Sequence, residues 1–412
     1  MSDTATAATT SRLHFAEHWS GRPTVAIVDL DAYASNIRAL RTLVGPRVRL
    51  MAVIKANAYG HGAIPIGQEA LRVGADELAV ATVDEGAQLR DAGIEAPILV
   101  LGPIGDGDRA RAIGQRLTIN VGSASFAHAL AADAKASLTK EPVSVHLKID
   151  TGMNRFGVLP EEVVATAQAI LAHPELRLDG VMSHMAAADG PDPELTHAQV
   201  ARFDAAIAAL REAGIETTGH HVANSATTLR FPEYHKDRVR VGIAQYGLQP
   251  DPDMPLPGVF RPILTVHSRI ARVHELQPGD GVSYGFRYRA SEAETVALVP
   301  IGYADGYRRN FSGKTWVTIG GERADQLGRV CMDQCVVRVP AGIDAKPGDI
   351  VTIVGNRSAA TDPAPTFDDL AVMSDTISYE LSCGLASRLP KLYVRGDKVV
   401  AIADLSGYRE LE

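Results

Sequence analysis

Several things are scarce in this sequence of 412 residues, and each scarcity excludes something. Cysteine occurs three times, as Cys331, Cys335 and Cys383. Three thiols cannot build a disulfide framework, which suits a reducing compartment. Cys331 and Cys335 have too little His or Cys nearby to suggest a metal site, so no metal is expected. Positive charge is not in surplus: the net charge is −8. That balance leaves no basic footprint for nucleic acid or an anionic membrane and favours a small-molecule partner. No apolar run approaches the roughly 18 residues that a membrane helix needs. The opening MSDTATAATTSRLHFAEHWS lacks a positively charged start followed by an apolar core. No signal peptide is therefore expected, and the reading is cytoplasmic. The small polar residues 1–12 are expected to form a disordered tail.

What is present is a rhythm. Residues 47–62 read RVRLMAVIKANAYGHG, a short apolar run, then Lys55, then a loop of small residues. This is the pattern of a buried strand entering a loop, with Lys55 at the strand's carboxyl end. In parallel α/β folds that end is where chemistry is built, although any single Lys can also be a snorkelling surface amine. Seven further apolar runs follow, at 77–83, 97–102, 116–121, 144–150, 178–186, 219–224 and 238–244, separated by helical segments. Eight strands close a parallel β/α barrel, and the count favours that over a doubly wound sheet. The expected fold is α/β: a parallel (β/α)8 TIM-type barrel over 13–250, followed by a mainly-β carboxyl-terminal domain. The strand near 24–30 is a candidate for pairing with that β domain instead. Prolines at 250, 252, 255 and 257 mark a linker at 251–260. Residues 261–412 carry short β-rich runs with Gly and Pro turns.

One decoy falls away. GDGDRA at 105–110 fits a loose dinucleotide pattern, but RLTINV, the strand that follows, ends without the acid that binds a ribose.

The strand at 144–150 runs into KIDTGMNRFG. Arg155, in its loop, suits clamping a carboxylate or phenolate, or else a structural ion pair with Asp150. His184 closes the next strand and reads either as a satisfied core histidine or as a site residue. Asn224 and Ser225 end the seventh strand where a helix begins, a ready anion site. Gly242 and Ile243, after Arg240 on the eighth, can add backbone N–H donors to a phosphate cradle.

KANAYGHG resembles the pyridoxal-phosphate lysine motif of the alanine racemase family. DTGMNRFG, ANSAT, RVGIAQYG, SYGF, GYADGY and CMDQ follow in family order across residues 24–395. The resemblance implies pyridoxal 5'-phosphate as cofactor, a small amino acid as substrate, and interconversion of L- and D-alanine for peptidoglycan. It makes Lys55 the cofactor-anchoring residue and one catalytic base, and Tyr284 the other. It places Tyr59, His184, Asn224, Ser225, Gly242 and Ile243 around the cofactor, with Arg240 facing the pyridine nitrogen. It gives Arg155 the phenolic oxygen and the substrate carboxylate, and makes Lys148 a carbamylated residue that orients Arg155. Tyr303 then lines the entrance, and the Met332 N–H meets the carboxylate. It also implies a homodimer with shared sites, Tyr284 coming from the partner. The tyrosine needs activation by cationic neighbours, for which His184 and Arg240 are the candidates. Ser387 stands where several family members carry a tyrosine that narrows the entrance, which leads us to expect some turnover of serine. A pyridoxal-phosphate decarboxylase shares the overall plan, but its Gly-rich phosphate loop and its carboxyl-domain acidic and cysteine motif are not evident. A bare-barrel cofactor-binding protein lacks a β domain of this size.

Overall fold

The computed structural model describes residues 21–138, 140–356 and 363–411. The expected tail at 1–12 lies outside them. All eight apolar runs form parallel strands: β2 (Arg49–Val53), β3 (Glu77–Val80), β4 (Ile98–Val100), β5 (Thr118–Val121), β6 (Val143–Lys148), β7 (Leu176–Met182), β8 (His220–His221) and β9 (Arg238–Val241). They pair in sequence order, and β9 returns to pair with β2, placing Met51 opposite Arg240. Between β8 and β9 the ring is closed by backbone bonds from Asp237 N to His220 O (3.0 Å) and from Arg240 N to Ala223 O (2.9 Å). The result is the TIM-type barrel.

β1 (Val25–Asp29) precedes the barrel in sequence but does not join it. It pairs antiparallel with Leu264–Arg269 and parallel with Lys391–Arg395, inside an eleven-stranded sheet otherwise built from the carboxyl-terminal half. Asp29 then accepts from Ala32 N (2.8 Å) and caps the helix Leu30–Val44. The helix buries Ile37, Leu40 and Val44, the apolar face that the 3.6-residue period marks in the sequence. One hydrophobic core runs from the barrel wall into this sheet. A second, small core of Leu276, Val282, Ala290, Val296 and Leu327 lies beside the turn that carries Tyr284. Among the described residues no helix is long and apolar enough to cross a membrane.

Candidate active site

At the carboxyl ends of the strands lies a cavity of about 410 Å³, lined in part by Lys55, Tyr59, His184, Asn224, Ser225 and Arg240. The sequence scatters these over nearly 190 residues; the barrel gathers them because they follow, or sit on, four of its strands, β2, β7, β8 and β9.

The segment after β2 is a tight left-handed turn. Ala56, Asn57, Ala58 and Tyr59 all have φ between 51° and 54°. Such a conformation costs L-residues about 1–2 kcal/mol each and persists only where neighbours over-determine it. Here Glu85 accepts from Ala56 N (2.6 Å) and Asn57 Oδ1 from Ala63 N (2.8 Å). Upstream, Val53 O accepts from Gln245 Nε2 (2.7 Å) and Tyr246 OH (2.9 Å). Both sides of Lys55 are thus pinned. Gly60, at φ 82°, would place a Cβ 1.9 Å from Ser382 O. Gly60→Ala is therefore expected to destabilise the fold by roughly 2–4 kcal/mol through overpacking and backbone strain. Denaturant titration against wild type measures this.

Burial first, and the Arg155 charge second, lower the Lys55 pKa from its ordinary value, while Glu85 and Cys383 oppose the shift. A lysine so placed yields a neutral amine more readily. Lys148, on β6, is 6% exposed and donates to Ile149 O (2.8 Å). Burial, then Arg240, bring its pKa down to about 7, so the barrel interior favours its uncharged form. Arg155 itself is exposed. Asp150 accepts instead from the backbone N–H groups of Gly152, Asn154 and Arg155, at 2.9, 3.0 and 3.1 Å. That carboxylate shapes the loop, and among the described residues no side-chain ion pair joins it to Arg155.

Arg240 is 2% exposed, and both of its terminal nitrogens are engaged. Its Nη2 donates to Ser183 O (2.8 Å) and contacts His184 Nδ1 (3.1 Å), and its Nη1 contacts His221 Nδ1 (2.9 Å). Burial lowers its pKa to about 9. His184 is held well below its usual range by burial and by Arg240, so the imidazole is neutral. Any cationic field at this point therefore comes from Arg240 and not from His184, a change from the sequence-based expectation. Asn224 caps the helix Ser225–Arg230, its Oδ1 accepting from Thr227 N (3.0 Å). Ser225 Oγ accepts from Gly242 N (2.9 Å). A Cβ on Gly242 would lie 2.5 Å from the Tyr59 hydroxyl, so only glycine leaves backbone and phenol this close. Ile243 lines the same wall.

Three of the sequence-derived residues stand elsewhere. Tyr284, Tyr303 and Met332 are 72%, 42% and 51% exposed, and none lines the cavity of its own chain. They nevertheless share one surface of the β domain. Tyr303 N donates to Cys331 O (3.0 Å), Ala304 N to Met332 O (3.0 Å), and Ser283 Oγ to Arg329 O (2.7 Å). The left-handed Ser283 (φ 62°) and Phe286 (φ 41°) flank Tyr284 in a tight turn that presents its ring outward.

Two contributors escaped the sequence reading. Tyr379 and Cys383, on the short helix Ser378–Cys383, also line the cavity. Tyr379 packs against Tyr59 with centroids 5.9 Å apart. Nothing in the short mixed segment SYELSC marks them locally.

Comparison with known proteins decides the family. The amino-terminal domain model of alanine racemase matches residues 28–250, and the carboxyl-terminal domain model matches residues 263–393. The chain belongs to the alanine racemase family. It is 41% identical over 377 residues to the alanine racemase of Nostoc sp., covering 91% of this chain and 97% of that one. With the Geobacillus stearothermophilus alanine racemase it shares 39% over 392 residues, 94% and 98% of the two chains. Among solved structures, alanine racemase of Clostridium difficile 630 superposes with a TM-score of 0.86 at 35% identity, covering 94% and 99%. The Bacillus anthracis enzyme, solved with bound L-Ala-P, gives 0.85 at 35%, covering 93% and 98%. Membership in the alanine racemase family makes the protein an enzyme of the isomerase class, and alanine racemases share the barrel and β-sheet plan found here.

The cofactor that the family implies is pyridoxal 5'-phosphate, and the residues present suit it. The Ser225 hydroxyl and the Gly242 N–H lie 2.9 Å apart, a pair suited to a phosphate, and the close approach at Gly242 is a cradle that a Cβ would fill. Lys55 supplies an amine with a lowered pKa, and Arg240 a buried donor-only partner.

Proposed function

We propose that the protein interconverts L- and D-alanine by a two-base mechanism with pyridoxal 5'-phosphate, supplying D-alanine for peptidoglycan from the cytoplasm. The observation that carries this reading is Lys55: a lysine of depressed pKa, fixed by a strained turn, in the cavity that also holds Ser225, Gly242 and Arg240. Lys55, Tyr59, Asn224, Ser225, Gly242 and Ile243 would hold the cofactor, which when bound would supply the electron sink that makes the substrate's α-hydrogen acidic. Arg240 can only donate, which disfavours a proton on the pyridine nitrogen and so restrains side reactions. His184 orients Arg240 through its Nδ1. Arg155, oriented by Lys148, and the Met332 N–H hold the substrate carboxylate, while Tyr303 lines the entrance. The pKa of Lys148 suits reaction with carbon dioxide, since only a neutral amine forms a carbamate.

Lys55 takes or returns the proton on the face that handles the D-enantiomer, and Tyr284 does so on the opposite face. The exposure of Tyr284 and its absence from its own chain's cavity support its delivery by a second copy in a homodimer. Incubation of the cofactor-loaded protein with L-alanine, followed by chiral chromatography, tests the reading. An enantiomer ratio approaching one supports it. Release of carbon dioxide instead would mean a decarboxylase.

Ser387 is exposed and small at a position where a tyrosine would narrow the entrance. Serine is expected to racemise measurably. Ser387→Tyr should lower serine turnover relative to alanine by about 5- to 30-fold, the range for a contact worth roughly 1–2 kcal/mol. A serine rate at background in the wild type would remove the idea.

A further inference from the structure

The barrel interior holds an unusual polar column. Arg238 Nη1 lies 2.9 Å from His146 Nε2, His146 Nδ1 lies 3.0 Å from His221 Nε2, and His221 Nδ1 lies 2.9 Å from Arg240 Nη1. The wall is hollowed to admit it. A Cβ on Gly180 would meet the His146 ring at 2.8–3.0 Å, and one on Gly219 would meet Arg238 Nη2 at 2.9 Å. Two guanidiniums, which only donate, flank two imidazoles. Burial and the adjacent arginines keep both rings neutral, with the His146 pKa lowered to about 3.

The protons in this column do not balance. A neutral imidazole has one N–H and one lone pair. If both outer nitrogens accept from arginine, both inner nitrogens carry hydrogen and face each other across 3.0 Å. One of the three contacts must therefore lack its hydrogen bond. The Arg240 end is sealed within the protein. The Arg238 end borders the exterior: its side chain is 13% exposed and its Nη2 donates to Asp179 O (3.2 Å), but its Nε is buried with no hydrogen-bond acceptor, and Glu77 Oε1 is 3.7 Å away. The tautomers then run one way. Arg240 donates to His221, His221 Nε2–H donates to His146 Nδ1, and His146 Nε2–H then faces Arg238 Nη1, which leaves these two and Arg238 Nε without an acceptor while Arg238 Nη2 donates to Asp179 O.

These donors lie at a cavity of about 450 Å³ at the amino-terminal mouth of the barrel, opposite the catalytic end. Its lining holds five arginines against three carboxylates. Glu77 is paired with Arg49 (2.6 Å) and stands 3.7 Å from Arg238 Nε, beyond hydrogen-bond reach, while the Asp179 carboxylate is paired with Arg177 (2.8 Å) and meets Arg238 only through its backbone oxygen. We propose that this mouth is a receptor for a compact anion, bound by the N–H groups of Arg238 and His146. An anion there completes the column and sits at the far end of the hydrogen-bonded path that ends on Arg240.

Calorimetric titration of the cofactor-loaded enzyme with inorganic phosphate tests this, at constant ionic strength and with equilibrated alanine present so that the catalytic pocket is filled. The heat is read without turnover, so the outcome is independent of the mechanism proposed above. Saturable binding, one phosphate per chain, is expected, weakened at least about tenfold by Arg238→Gln, the loss of one charge-assisted pair. Thr218→Glu places a carboxylate at the exposed rim and should weaken phosphate binding while leaving Arg238 in place. It decides the matter if Arg238→Gln fails to fold. No saturable heat in the wild type, as when water alone fills the mouth, would overturn the proposal. So would an unchanged affinity in the folded variants.

Discussion

Lys55→Ala is expected to lower the racemisation rate by roughly 10⁴-fold, the upper end for removing a positioned general base, while the fold is retained. The fold should survive because the turn after β2 is held by Glu85, Asn57, Gln245 and Tyr246, not by the lysine amine. Chiral chromatography with matched circular dichroism checks both halves of the expectation. The wild-type pH profile carries a related signature. A base works in its neutral form, and the neutral fraction rises with pH through the pKa. Burial and Arg155 lower that pKa, so the limb assigned to Lys55 should lie below the ordinary lysine value of 10.5. Arg155→Gln removes one of the causes and should move the limb back upward. A limb that stays put would detach Arg155 from Lys55.

The second large effect is complementation between two dead proteins. Tyr284 stands 72% exposed and outside its own chain's cavity, so each site in the proposed dimer joins Lys55 of one chain to Tyr284 of the other. Lys55→Ala and Tyr284→Phe homodimers should each be nearly inactive. Mixing them equally under subunit exchange gives half heterodimers, each with one intact site, so about a quarter of wild-type activity should return in a symmetric two-fold assembly. Activity that stays at the level of the separate variants would mean that the two residues act within one chain, or not together.

Much of this was legible in the sequence, for a physical reason. Barrel strands are buried on both faces, so they read as apolar runs, and the residues after them fall at the carboxyl end whatever the helices between them do. Lys55, His184, Ser225 and Gly242 were therefore recognisable as site candidates from position alone. What local reading misses is long-range contact. β1 stands apart from the eight barrel strands as a candidate for the β domain, but which strands it joins, Leu264–Arg269 and Lys391–Arg395, shows only in the fold. Tyr379 reaches the cavity because its helix packs on the Lys55 turn, at the point where Gly60 meets Ser382. Tyr284 and Met332 read as turn and core residues, and only family resemblance singled them out. The His146–His221 column was invisible for another reason: alternation marks which residues point inward, but not that imidazoles and guanidiniums would share a line.

The most direct test of the two-base account follows the first turnovers of L-alanine in deuterated water, with mass and proton NMR analysis of the separated enantiomers. Bases on opposite faces predict that newly formed D-alanine carries solvent deuterium at its α-carbon from the outset, because the arriving hydrogen comes from Lys55, exchanged with solvent, while Tyr284 takes the departing proton. D-alanine that retains the original α-proton would contradict the account, since a single base would then have carried it from one face to the other.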